Sequence, residues 1–169
     1  TMTPAADGAF SAVVSAGAFT DAIGNGNLES NTVSRTADIA APVVTLSSGT
    51  GSSVNGGISI SVSISESVTT FTAADITATN ATVSAFAGNG NSYSFWLAPD
   101  SEGAFSAVVN AGGVTDALGN ANLESNTLSR TADFTAPVIS LSTLAGNPVN
   151  DAITVSALLS EPSANFSAG

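Results

Sequence analysis

The sequence of 169 residues contains no cysteine, no histidine and no lysine. Without cysteine, no disulfide bond supports the fold, and the compartment cannot be inferred from thiol chemistry. Without histidine, lysine and cysteine, the chain lacks the usual general bases and most of the nucleophiles of enzymes, and a Ser-His-Asp triad is impossible. The composition therefore predicts that the protein is not an enzyme.

Positive charge is almost absent, because Arg35 and Arg130 are the only basic side chains beside 13 acidic ones. The resulting net charge is −11 at pH 7, whereas nucleic acids and anionic membranes are bound through Lys and Arg side chains. The sequence also has no apolar run that approaches the roughly 20 residues of a membrane helix. We therefore expect no nucleic-acid partner and no membrane insertion of this segment.

One long stretch of the sequence occurs twice. Residues 8–38 recur as residues 103–133, an offset of 95, with differences at only six of 31 positions. A repeat of this length predicts one whole domain per period, because solenoid repeats are only about 20–50 residues long. We predict that residues 1–40 are the C-terminal part of one repeat, 41–135 a complete repeat and 136–169 the N-terminal part of the next, within a longer repetitive protein.

The complete repeat contains short segments rich in Ser, Thr, Val and Ile, separated by turn residues. The segment from Ile58 to Ser65 alternates strictly between apolar and polar residues, which is typical of a half-buried strand. We predict a turn at 88–91 and seven strands at 42–46, 58–65, 76–80, 82–86, 93–97, 105–109 or 105–114, and 123–131. Seven such strands in one period favour an all-β fold of tandem immunoglobulin-like β-sandwich domains, about 95 residues per repeat.

The predicted core follows from the same alternation. Tyr93 and Phe95 lie on one face of their strand and are assigned to the core, whereas Trp96 lies on the other face. The role of Trp96 stays open, and a platform for stacking a sugar is one possibility. The predicted core residues are Val44, Leu46, Ile58, Ile60, Val62, Ile64, Phe71, Tyr93, Phe95, Leu97, Phe105, Val109 and Leu123.

Several short motifs follow one another in a characteristic order along the chain. They are Ser65-Glu66-Ser67-Val68, Phe71 through Asp75-Ile76, Ala111-Gly112, Thr115-Asp116-Ala117-Leu118-Gly119-Asn120, and Thr131-Ala132-Asp133 through Ala136-Pro137-Val138. In this order they resemble the bacterial Ig-like repeats of large surface adhesins, which include the biofilm-associated proteins and the extender regions of RTX adhesins. The resemblance covers the whole chain and implies a long extracellular stalk on a bacterial surface, with calcium at the domain junctions.

The topology of such a sandwich predicts one acidic site. The connection after the second strand and the turn between the last two strands lie at the same end of the domain. Glu66, Asp75, Asp116, Asn120 and Asn122 are therefore expected to gather where the linker residue Asp38 enters. Carboxylates so close either have raised pKa values or bind a cation, and Ca²⁺ takes about 6–8 oxygen ligands of these kinds. The alternative is an Asx-rich turn with solvated surface acids.

The same reasoning predicts related sites in the two partial repeats. Asp133 and Glu161 are expected at the next junction. Asp21, Asn25 and Asn27 are expected to face a preceding domain. Both of these sites would be incomplete within the 169 residues.

The function predicted from these features is that of a structural stalk or filament segment, with Ca²⁺ at the domain junctions stiffening the chain. Its partners would be neighbouring repeats of the same chain and other copies in a filament. One alternative is an adhesive module in which loops or Trp96 bind a glycan or a protein. Another is a filament subunit that polymerises because partial domains complete each other between chains.

Overall fold

The computed structural model describes residues 1–167 and confirms the predicted all-β class. The one helical element among these residues is a short 3₁₀ turn, Ala73–Asp75, and none of their helices is long and apolar enough to cross a membrane. The strands are β1 (Gly8–Ala12), β2 (Val33–Ala37), β3 (Val44–Ser47), β4 (Ser53–Val54), β5 (Ile58–Val68), β6 (Ile76–Thr79), β7 (Ala81–Pro99), β8 (Gly103–Val109), β9 (Leu128–Ala132), β10 (Ile139–Ser142) and β11 (Ser156–Leu159).

The chain divides into two compact units, the first ending at Ala132 and the second beginning at Asp133. The first unit contains the β1–β2 hairpin and two larger sheets, with strand orders β3-β5-β7 and β4-β9-β8-β6. Side chains from both larger sheets form one continuous apolar core. The two sheets therefore make an immunoglobulin-like sandwich, as the sequence predicts. The second unit contains the β10–β11 hairpin.

Strand β5 lies at the centre of its sheet and alternates between buried and exposed residues over its first eight positions. The neighbouring strand β7 contributes to the same buried face, because its buried Phe95 lies opposite Ile60. Residues on one face of a strand recur at every second position. The predicted alternation is confirmed, with Ile58, Ile60, Val62 and Ile64 buried and Ser59, Ser61 and Ser63 exposed.

The predicted core is confirmed with one exception. Leu123 was assigned to the core, but its side chain is 78% exposed. The neighbouring Asn122 takes the inward position instead and is 2% exposed, and β9 begins only at Leu128. Because Asn122 fastens the loop with hydrogen bonds, the adjacent side chain faces solvent. Residues that the sequence did not identify as core include Val68, Ile76, Val114 and Leu128.

The predicted turn at 88–91 is confirmed, although β7 is one continuous stretch of extended backbone from Ala81 to Pro99. Gly88 and Gly90 have φ angles of +133° and +61°, which glycine adopts at little cost. The pairing of β5 with β7 shifts register between Ser63 and Val68, and Val68 lies opposite Gly90. The chain reverses at these glycines, because a Cβ atom on Gly88 would lie 2.5 Å from the Cα atom of Tyr93, and the rings of Phe86 and Tyr93 stack with centroids 5.7 Å apart. The N–H of Asp100 also donates to the carbonyl of Asn80 at 3.0 Å, so β7 folds back on itself.

Both hairpins outside the sandwich repeat strand pairings that occur within it. The β1–β2 hairpin matches β8–β9, and the β10–β11 hairpin matches the pairing of β3 with β5, with each partner displaced by 95 positions. The period of the sequence is thus also the period of the strand pairing. Corresponding pairs are Gly8–Ala37 with Gly103–Ala132, and Ile139–Leu159 with Val44–Ile64.

The two hairpins expose apolar side chains whose counterparts are buried in the sandwich. Phe19 is 62% exposed, whereas Val114 at the equivalent position is 0% exposed. Leu141 is 69% exposed, whereas its equivalent Leu46 is 3% exposed. A two-stranded hairpin is at best marginally stable in water by itself. Each hairpin therefore requires a facing sheet to bury its apolar side chains.

Substitution of Ile60 by Ala tests the central position of β5 in the core. The side chain is fully buried, so we expect the free energy of unfolding to fall by about 2–5 kcal/mol. The control is Ser61→Ala, which changes an exposed neighbour and is expected to have an effect within about 0.5 kcal/mol. Urea unfolding followed by the fluorescence of Trp96, the single tryptophan, measures both. Equal effects of the two substitutions would contradict the assigned strand register.

Candidate metal centre

The loop between β8 and β9 is shaped by the carboxylate of Asp116. Its Oδ1 accepts hydrogen bonds from the backbone N–H groups of Leu118 at 2.9 Å and Asn120 at 2.8 Å, and its Oδ2 accepts one from Asn120 Nδ2 at 2.7 Å. Burial alone would raise the pKa of Asp116, but these hydrogen bonds outweigh burial and lower it. Asp116 is therefore a buried carboxylate that stays ionised at neutral pH.

Three carboxylates converge beside this loop. Asp38 directly follows β2, Glu66 lies near the end of β5, and Asp116 follows β8. One carboxylate oxygen from each lies within 4.8 Å of the other two. The predicted gathering of these three residues at one end of the sandwich is thus present in the structure. We call Asp38, Glu66 and Asp116 the junction cluster.

Asp7 is a fourth acid at this end, which the sequence did not identify as a site residue. Its Oδ1 accepts a hydrogen bond of 2.7 Å from the backbone N–H of Ile39 in the linker. Asp7 directly precedes β1, within the segment that the sequence predicts to be the C-terminal part of a repeat. In that prediction the segment faces the next junction, so the position of Asp7 was the signal available in the sequence.

The pKa of Glu66 reflects this crowding. Burial of the carboxyl group raises it first, and the negative charges of Asp38, Asp116 and Asp7 raise it further. No lysine or histidine exists in the chain to compensate these charges. The side chain of Glu66 therefore gains from any cation that binds between the carboxylates.

Asn120 connects the loop to the linker. Its Nδ2 donates to the backbone carbonyl of Asp38 at 3.0 Å as well as to Asp116. Its own backbone carbonyl accepts a hydrogen bond from the N–H of Asp116 at 3.2 Å. The side chain thus holds Asp38 beside the loop, and this contact joins positions that are 82 residues apart in sequence.

Asp75 and Asn122, which were also predicted as ligands, lie outside the junction cluster. The Oδ2 of Asp75 accepts hydrogen bonds from the backbone N–H and the hydroxyl of Thr72, both at 2.8 Å, at the start of the 3₁₀ turn. Asp75 also packs against Gly113, where an added Cβ atom would lie 2.9 Å from its own Cβ. The side chain of Asp75 therefore orders the connection between β5 and β6.

The amide of Asn122 is fully used inside the loop. Its Oδ1 accepts from the N–H of Val114 at 2.8 Å. Its Nδ2 donates to the carbonyls of Asn110 at 3.1 Å and Leu123 at 2.6 Å. Burial of an amide is favourable only when its hydrogen bonds are satisfied, and these three bonds satisfy it. Asn122 is a structural residue of the loop.

The first copy of this loop has the same geometry. Asp21 Oδ1 accepts from the N–H groups of Ile23 and Asn25, and Asn25 Nδ2 donates to Asp21 Oδ2. The hydrogen bond from the Asn25 side chain is the largest of several that lower the pKa of Asp21. Asn27 donates to the carbonyls of Ser15 and Leu28. The repeated sequence therefore produces the same loop twice.

The remaining predicted site residues lie in the second unit. Asp133 accepts a hydrogen bond from the N–H of Thr135 at 3.1 Å, and Glu161 is half-buried. Within residues 1–167, the junction cluster is the one group of three acidic side chains that could hold an ion. Neither Asp21 nor Asp133 belongs to such a group.

The donor set of the junction cluster fits a calcium ion. Ca²⁺ lies about 2.3–2.6 Å from its oxygen ligands, so oxygens on opposite sides of the ion are about 4.6–5.2 Å apart. The three carboxylate oxygens of the cluster lie within 4.8 Å of one another, which is close enough for all three to bind one such ion. All three donors are carboxylate oxygens, which are hard ligands that suit Ca²⁺.

A protein-family model described as a bacterial Ig-like domain matches residues 38–132. The matched region begins at Asp38 of the junction cluster and covers the complete sandwich. No curated protein and no solved structure matches the chain significantly. Ig-like sandwich domains are typically structural modules without enzymatic activity, and bacterial ones often belong to extracellular surface proteins.

The raised pKa of Glu66 predicts a pH dependence of stability in the absence of divalent cations. The folded protein holds this proton more tightly than the unfolded chain. The free energy of unfolding therefore falls as the pH rises from about 4.5 through the raised pKa, and then levels off. Glu66→Gln removes this contribution, so the variant should equal the wild type near pH 4 and exceed it at pH 7. Urea unfolding in chelator between pH 4 and 8 measures the difference, and parallel profiles would contradict the prediction.

Proposed function

The chain belongs to the bacterial Ig-like domain family, and we propose that it is a structural segment of a bacterial cell-surface or secreted repetitive protein. In this proposal the domains follow one another as a stalk, and Ca²⁺ bound at each domain junction stiffens the chain. The junction cluster carries the proposal, because its three carboxylates come from the linker and from two separate parts of the following sandwich.

An ion bound by the junction cluster would restrict the linker. Asp38 belongs to the linker, while Glu66 and Asp116 are fixed by β5 and by the loop after β8. Coordination by all three would fasten the linker to the sandwich at Asp38. The protein supplies two further contacts there, from Asn120 to Asp38 and from Ile39 to Asp7. The ion would therefore strengthen a junction that hydrogen bonds already define.

Charge balance explains why the cation is needed for stiffness. The carboxylates of Asp7, Asp38, Glu66 and Asp116 carry like charges. Their mutual repulsion opposes the arrangement in which Asp38 of the linker lies beside Glu66 and Asp116. A divalent cation compensates two of these charges and holds the oxygens together. Without the ion, repulsion would act across the linker, and the neighbouring domains would gain freedom to move.

The repeat type of large surface adhesins suits this arrangement. The 95-residue period of the strand pairing supports tandem domains of one kind, and near-identical loops in successive repeats suit a spacer. The uncovered apolar faces of the β1–β2 and β10–β11 hairpins support neighbouring repeats, in the same chain or in other copies of a filament, as partners. An extracellular location on the bacterial surface is consistent with the family.

Calcium binding is tested by comparing stability in calcium and in chelator. A ligand at 100 times its Kd stabilises the folded state by about 2.7 kcal/mol, so the wild type should gain stability of this order. Glu66→Gln should be more stable than the wild type in chelator and gain much less from calcium. Glu124→Gln removes one exposed acidic charge outside the cluster and serves as the control. Equal gains for all three proteins would contradict an ion at the junction cluster.

Stiffening is tested by small-angle X-ray scattering on a chain of several complete repeats made by joining copies of residues 41–135. We expect a longer maximum dimension in calcium than in chelator, because ions cross-link neighbours while each core lies within one domain. Asp133→Ala, at the position equivalent to Asp38, should at one junction shorten the calcium-bound chain and leave the flanking domains folded. Identical dimensions in calcium and in chelator would contradict the stiffened stalk even if calcium binds.

A further inference from the structure

The outer face of the β3-β5-β7 sheet carries a regular array of small hydroxyl side chains. All of them are exposed, and they align across the strands in rows such as Ser47, Ser61 and Ser94. Neighbouring strands lie about 4.8 Å apart, and alternate residues along a strand lie about 6.8 Å apart. We call this array the hydroxyl face, and it consists of Thr45, Ser47, Ser59, Ser61, Ser63, Ser92 and Ser94.

These hydroxyl groups are available for hydrogen bonding to a ligand. None of the seven hydroxyls bonds another protein group within residues 1–167. Each can donate one hydrogen bond and accept others. The hydroxyl face also contains no charged residue, although the chain as a whole has a net charge of −11. It is therefore a neutral, hydrogen-bonding surface on an acidic protein.

Trp96 stands at one end of the hydroxyl face. It lies opposite Ser59 on the same side of the sheet, and the residue is 43% exposed. The ring covers Gly57, where any Cβ atom would overlap the indole. The absence of a side chain at residue 57 thus lets the ring lie close to the backbone. This places a flat aromatic surface beside the rows of hydroxyl groups.

We propose that the hydroxyl face and Trp96 together bind a neutral polysaccharide. A sugar ring has an apolar C–H side that packs on an aromatic plane and a rim of hydroxyls that exchange hydrogen bonds with serine and threonine. A neutral chain matches the uncharged face, whereas an anionic polysaccharide is repelled by the negative charge of the protein. The face offers little apolar surface to a protein partner, since its large exposed apolar side chains, Trp96 and Val43, lie at opposite ends of the rows.

Fluorescence of Trp96 tests binding directly, because the protein contains no other tryptophan. The complete chain is titrated with laminarin and cellohexaose as neutral glycans and with polygalacturonate as an anionic one. We expect a saturable change in emission with a neutral glycan and none with polygalacturonate. The same result is expected in chelator, because the face lies within one sandwich. No change with either neutral glycan, or a response to polygalacturonate alone, would overturn the proposal.

Variants locate the binding surface by affinity electrophoresis in gels that contain the neutral glycan. Trp96→Ala and Ser61→Glu should each weaken retardation at least tenfold, and Trp96→Phe should retain part of it. Thr131→Glu adds the same charge to an exposed position on β9 of the other sheet and should bind like the wild type. Circular dichroism confirms that each variant is folded. Wild-type retardation of Trp96→Ala, or an equal loss in Thr131→Glu, would overturn the proposal.

Discussion

The strict alternation of β5 is the constraint on which the rest of the structure depends. Its inward side chains lie beside those of β3 and β7, and together the three strands form one side of the core. Its outward serines lie in the middle of the hydroxyl face, between those of β3 and β7. Its end carries Glu66 to the junction cluster. Because the side-chain period of a strand is two, a slip of one residue would bury serines and expose isoleucines along the strand.

Three polar residues have separate roles in the loop after β8. Asn122 satisfies backbone groups inside the loop, Asp116 shapes the turn and presents one oxygen to the cluster, and Asn120 links the turn to Asp38. Such networks are favourable only when each buried polar group has a partner. The same bonds around Asp21 show that the local sequence is sufficient to form the loop in a second place.

Features that depend on a regular period could be predicted from the sequence, and those that depend on individual hydrogen bonds could not. The alternation around Ile60 identified both the strand and its inward face. Leu123 was misplaced because an apolar residue in a loop carries no periodic signal, and its neighbour Asn122 is buried for its hydrogen bonds. Gly88 and Gly90 identified the reversal within β7, because glycine adopts their positive φ angles at little cost.

The junction was predicted in outline from topology, because sandwich connections at one end meet there whatever their side chains. Asp38, Glu66 and Asp116 followed from this rule. Asp75 shares the same end, but its bonds to Thr72 commit it to the 3₁₀ turn.

The packing of Asp75 against Gly113 also has a consequence for folding. The first hairpin carries Ala18 at the position of Gly113, so its methyl group would clash with Asp75 if that hairpin docked on the wrong sandwich. Near-identical neighbours are prone to misassembly and domain swapping, and this single methyl group disfavours the exchange.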